Sequence, residues 1–181
     1  MEQAEFWQFV DECRAVAGAD TERLAQVILR RLCSLSIPEI LDYEEWWFCA
    51  QDELCTWAVR DAASLLLGGL SEDDDFLTVQ DWIVSHGRTT VERVLDNPDR
   101  IVDLAADRHN ARMDWFCGLP VDAHIAVDGC PPAMYHRPGP VDPVGVPADL
   151  SDEHATRRRF PEITAYLDAN GWVAPSPDPG R

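Results

Sequence analysis

Apolar positions recur at helical spacing through most of the chain. Phe6, Phe9, Val10 and Cys13 fall at i, i+3, i+4 and i+7, and Leu24, Ile28, Leu32 and Leu35 trace a second stripe. Between them Gly18-Ala19-Asp20 supplies a helix-ending glycine and then a capping side chain, so the pattern predicts a helical hairpin. Ser36-Ile37-Pro38-Glu39 reads as the next helix start: a hydroxyl at the N-cap, proline in the first turn, and a carboxylate where a capping box needs one. Its apolar face carries Ile37, Ile40, Leu41, Trp47, Phe48 and Leu54; Glu44 and Gln51 fall at the same spacing, either at the edge of the stripe, the favoured reading, or near the core as polar groups that need partners. Trp57 to Leu67 is apolar nearly all round at its end and is expected to be the central buried helix.

Beyond Gly68, Phe76, Val79, Trp82 and Ile83 repeat the spacing up to His86-Gly87. Val91, Val94 and Leu95 mark a short helix ending at Asn97-Pro98, and Ile101, Val102, Leu104 and Ala105 mark another. No segment alternates with period two over a strand's length. The expected fold is therefore all-α, a multi-helix bundle in a single domain over residues 1–170, with a regular helical core over 1–108. Residues 109–150 are less regular: Met113 to Gly118 reads as a buried connection, and Leu119 to Val127 as a helix opened by Pro120. Six prolines between Pro131 and Pro147 forbid a regular helix or a central strand and predict an extended strap before the last helix. Ser151 is expected to cap a final helical region over 151–170 that packs back, interrupted at Pro161, with Phe160, Ile163, Tyr166 and Leu167 inward. The tail 171–181 is expected to be disordered.

Composition narrows the function classes. The net charge is −18, all 15 basic residues are Arg, and the one basic run, Arg157-Arg158-Arg159, suits a solvated helix face. A field of this sign repels phosphate backbones and anionic lipid, which argues against nucleic-acid and membrane partners. The amino terminus has no signal-like pattern and no apolar run reaches bilayer length, so the expected location is cytoplasmic. Six cysteines without a C-x-x-C pair are expected as reduced thiols.

Three places carry candidate chemistry. The turn "GGLSEDDDF" sets four carboxylates, Glu72 to Asp75, behind two glycines. Ser71 with Asp74 fits a capping box, and acids at a helix start complement its dipole. Four adjacent carboxylates also repel one another unless a donor or cation offsets them, which leaves open a docking surface for an Arg-rich partner or a weak divalent-cation site. The second place is the set Asp107, His109, Asp114, Cys117, His124, Asp128, Cys130 and His136, whose residue types suit zinc or Cys-His catalysis but whose spacing matches no such motif. No metal is favoured; the alternative ligands are His109, His124 and Asp128. Third, Trp46 and Trp47 are neighbours and so lie about 100° apart round a helix. With Trp47 inward, Trp46 is either an interface anchor or the contact to a second helical layer.

The order of these features resembles the bacterial DUF4240 family, a domain of unknown function. The resemblance rests on Phe6-Trp7, the capped helix at Ser36, Trp57 with Ala62-Ala63, the Gly-Gly-x-Ser-acidic turn, Phe76 with Trp82-Ile83, Gly87, and more weakly Arg159-Phe160-Pro161. Against the family pattern, Leu70 replaces the turn cysteine, the acidic turn is one residue longer, and Gln80 stands where an Arg is expected. Cys55-Thr56-Trp57-Ala58-Val59-Arg60 also lacks an Asp and a Trp of that pattern. The functional expectation is a cofactor-free binding domain, monomer or homodimer, in a regulatory or accessory role. Its protein or small-molecule partner would be met by Ser71, Glu72, Asp73, Asp74, Trp46, Trp57 and Gln80. The competing expectation is a metal-dependent or Cys/His enzyme using the 107–136 set; the balance is against an enzyme.

Overall fold

The computed structural model describes residues 1–70, 73–132 and 142–171, with the side chain of Asp73 also outside the description. Ten helices and no strand occur among the described residues, so the fold is all-α. They are α1 (Gln3–Ala17), α2 (Thr21–Leu32), α3 (Ile37–Leu54), α4 (Trp57–Leu67), α5 (Asp73–Ser85), α6 (Arg88–Asp96), a 3-10 segment (Pro98–Arg112), α7 (Leu119–Asp128), α8 (Glu153–Arg159) and α9 (Pro161–Asn170).

The capping signals read from the sequence act where expected in the first half. Asp20 accepts from the Arg23 backbone N–H at the start of α2, and Ser36 with Glu39 closes a capping box at the start of α3. Gly68 ends α4 at a φ of 76°, a left-handed conformation that a side chain resists. The α1–α2 hairpin buries Phe6, Phe9, Val10 and Cys13 against Leu24, Ile28 and Leu32. Phe6 anchors an aromatic cluster, with Tyr43 at 5.4 Å and Trp47 at 6.2 Å between ring centroids, and Phe116 lies 5.4 Å from Trp47. Such offset rings add about 0.5–1.5 kcal/mol per pair beyond the area they bury.

Three local expectations are corrected. Gln51 is not at the stripe's edge but buried, because its amide donates to Asp81 Oδ1 at 2.6 Å. Asp152, not Ser151, caps α8 by accepting from the Ala155 N–H at 2.9 Å, while the Ser151 hydroxyl donates to Asp149. The helix expected around Ile101 to Ala105 winds instead as a 3-10 segment fifteen residues long. Runs beyond three or four residues are uncommon in this geometry, and here four helices, α4, α5, α6 and α9, pack on it. It is the strut of the molecule.

The second half of the proline-rich strap lies against α4. Trp57 N–H donates to Val144 O and Val144 N–H to Cys55 O, both at 2.9 Å, and Ala148 N–H donates to the buried Asp61 carboxylate at 2.6 Å. The strap's residues 133–141 and the tail from 172 lie outside the described residues.

Gly87 explains a turn that the sequence only punctuated. Its φ is 88°, and a Cβ there would stand 2.2 Å from Asp11 Oδ1. Burial raises the Asp11 carboxyl above its ordinary value, while the backbone N–H of Arg88, opening α6, lowers it again. A Gly87→Ala variant is expected to lose about 1–2 kcal/mol from backbone strain and displacement of this contact. Urea unfolding should show a lower midpoint at unchanged slope; an unchanged midpoint would show that the turn tolerates a side chain.

Candidate functional site

Asp107 is where three distant parts of the chain meet. In a 3-10 helix residues i and i+3 eclipse, so Asp107 and Asn110 lie one above the other on the same side. Asp107 Oδ1 accepts from Asn110 Nδ2 at 2.7 Å, and Oδ2 accepts from Thr21 Oγ1 and Trp82 Nε1, both at 2.9 Å. Thr21 is the first residue of α2, Trp82 lies inside α5, and neither has a sequence signal joining it to residue 107. His86, one turn beyond Trp82, places Nε2 3.3 Å from Asp107 Oδ2, poorly aligned for a hydrogen bond. Behind it, Arg14 donates to the Ser85 carbonyl and hydroxyl, each at 3.0 Å.

The electrostatics follow from this crowding. Burial by itself would raise the Asp107 carboxyl, but the contacts from His86, Trp82, Asn110 and Thr21 outweigh it and hold the group well below the usual carboxylate range. Burial lowers His86 below the ordinary 6.5 and Arg14 lowers it further, against the opposing pull of Asp107. Asp107 is thus an anion held in place by its neighbours.

Above this node lies an open groove of about 410 Å³, within the range of small-ligand clefts. The α1–α2 turn, Ala19 to Glu22, forms one wall; Asp107, His109 and Asn110 with Met113 and Trp115 form the other. Met113 is 45% exposed, and Trp115 is half-buried with its indole N–H donating to Asn110 Oδ1 at 3.2 Å. Of the residues singled out from the sequence, Asp107 and His109 come to this groove; Thr21, Trp82, His86, Met113 and Trp115 were not foreseen as partners.

The other candidates go elsewhere. Ser71 and Glu72 lie outside the described residues, Asp73 opens α5, and Asp74 is exposed, its carbonyl accepting from Thr78. Trp46 donates to the Met1 carbonyl at 3.0 Å and is half-buried, so chain from the amino terminus covers part of its indole. Trp57 is half-buried beneath the Arg60 guanidinium, 5.4 Å from its ring centroid. Gln80 is 1% exposed and donates to the Gln51 carbonyl at 2.9 Å, part of a core polar group in which Asp81 Oδ1 accepts from both Trp47 and Gln51.

His124 is buried, with Nδ1 2.9 Å from the Cys130 carbonyl, and the Cys130 thiol donates to Asp128 at 3.0 Å. Asp114 and Cys117 are exposed, and His136 is outside the described residues. Among the described residues no three His, Cys, Asp or Glu side chains stand together as a metal-ligand set. Three of the thiols are shifted away from the reactive form: burial raises Cys13 and Cys117, and the Asp128 carboxylate raises Cys130, which disfavours the thiolate a nucleophile needs.

An acidic all-α domain carrying a polar node beneath an open groove is the class that this fold and site define. The chain belongs to the DUF4240 family, described as a protein of unknown function, whose model matches residues 1–119. No curated protein and no solved structure matches the chain. The matched span holds every residue of the node and the groove, whereas the strap, α8 and α9 lie beyond it. No helix among the described residues is long and apolar enough to cross a membrane.

Proposed function

We propose that this is a non-enzymatic binding domain of the cytoplasm that docks a protein partner in the groove above Asp107. The observation that carries the reading is the groove itself, with the exposed Met113 and the indole of Trp115 on one wall and a polar floor already satisfied by its own neighbours. A floor of that kind needs no ligand to complete it and presents a fixed shape, which favours recognition over catalysis. The raised thiols of Cys13, Cys117 and Cys130 support the same side of the choice. The end of α4 stands at the same end of the 3-10 segment, since Arg112 donates to the carbonyls of Leu67 and Gly69.

A photo-reactive residue placed at Met113 in the host cell tests this. A discrete protein adduct is expected at Met113 and not at Val16, which is also exposed and apolar at 59%. Equal labelling at both positions, or none at Met113, would remove the groove as the docking surface.

A further inference from the structure

The geometry points to a second binding site, away from the groove: the corner between α3 and α4 takes an extended peptide segment by its backbone, and residues 144–148 of the strap are the occupant it already carries. Helix ends leave backbone groups over. α3 ends at Leu54 and α4 begins at Trp57, so the carbonyl of Cys55 and the N–H of Trp57 lie outside the bonding of both helices. Thr56, extended at a φ of −127° and a ψ of 148°, spaces them like one rung of a parallel β-ladder, and Val144 fills the rung. Trp57 N–H donates to Val144 O and Val144 N–H donates to Cys55 O, both at 2.9 Å. One turn along α4, Asp61 accepts from Ala148 N–H at 2.6 Å.

The strap is thus held by its main chain. The side chains between the anchors take little part, Val144 being 69% and Val146 77% exposed. Pairing of this kind tolerates many guest sequences. The guest needs one residue with both backbone groups open to the corner, a second N–H four residues later and, where the half-buried Ala148 stands, a small side chain. Corner and occupant also belong to different parts of the chain: Cys55, Trp57 and Asp61 lie within the residues 1–119 matched by the family, and the strap lies beyond them. When the strap leaves, Asp61, 1% exposed, keeps Arg159 of α8 at 4.0 Å as its counter-charge, so release does not strand a buried anion. An extended segment of a partner protein therefore competes with the strap for the corner. Tethering gives the strap an effective concentration on the order of millimolar, so a guest binds tightly only once the strap is loosened.

The test is NMR of the full chain, following the backbone N–H of Trp57, with the acetylated and amidated peptide of residues 142–150 as the probe. Val144→Pro combined with Ala148→Pro removes the two N–H groups that the strap donates and leaves the corner itself unaltered. In this double variant Trp57 N–H is expected to exchange faster than in the parent. The peptide should bind the variant at least about tenfold more tightly than the parent and restore the protection. A peptide with both valines replaced by threonine should bind within about threefold of the original, whereas N-methylation at the nitrogen of Val144 should abolish binding. The parent chain at millimolar peptide gives the same comparison, so the N-methyl pair decides the matter even for a variant that fails to fold. Unchanged Trp57 exchange in a folded double variant, no shift of Trp57 by the unmodified peptide, or binding that follows the valines and ignores N-methylation would overturn the inference. The Met113 adduct tests the groove alone and is independent of these outcomes.

Discussion

Asp107→Ala is expected to lower the unfolding free energy by about 3–4 kcal/mol, a large share of the about 5–15 kcal/mol that holds a domain of ordinary stability. The variant removes the acceptor shared by Thr21, Trp82 and Asn110. The indole N–H of Trp82, a residue only 1% exposed, then has no protein partner within the core. It also leaves Arg14 beside His86 without the anion that offsets it. Equilibrium urea unfolding measures the loss; a change under about 1 kcal/mol would mean that the node contributes little.

Asp107 and His86 also set a pH dependence of definite sign. The folded Asp107 carboxyl sits below its unfolded value of 3.8, so its contribution is complete above that pH and is lost as the pH falls toward the folded value. His86, a base held below its ordinary 6.5, acts in the same sense: below about pH 6.5 the unfolded chain takes up the proton first, and stability declines. Asp107→Asn should flatten the acid-side loss below pH 4 relative to the parent. Parallel curves would show that other carboxylates carry it.

The second large effect is expected at Asp99. α9 begins at Pro161 directly after Phe160, whose side chain offers no acceptor for the free N–H groups of the first turn. Asp99, at the start of the 3-10 segment and 2% exposed, accepts from Glu162 N–H at 2.7 Å and Ile163 N–H at 2.9 Å. One buried carboxylate thus caps a helix more than sixty residues away and fastens the carboxyl-terminal pair to the strut. Asp99→Ala is expected to cost about 2–4 kcal/mol, since it leaves two donors unmet and removes the charge at the helix N-terminus. Because α8 and α9 lie beyond the span shared with the family, hydrogen exchange should report the loss first in residues 161–170. Uniform exchange across all helices would show that α9 does not open separately.

The all-α class, the hairpin of α1 and α2, the capping box at Ser36, the glycine end of α4 and the break at Pro161 were all legible along the chain. Each rests on neighbours within about four residues, and helical periodicity and capping are local by nature. The family was legible for the same reason, because the marks that carry it are short motifs of neighbouring residues, most of them within the matched residues 1–119. Tertiary packing decided the rest. Gln51 and Gln80 look like surface amides until Asp81 and the Gln51 carbonyl meet them in the core. The 3-10 geometry of Pro98–Arg112 follows from packing against four helices and has no signature in the spacing of Ile101 and Leu104. That geometry aligns Asp107 with Asn110, and folding then carries Thr21 and Trp82 to the same carboxylate. A site whose members lie 86 and 25 residues from Asp107 has no periodicity to betray it, because its energy comes from contacts that exist only once the chain has closed.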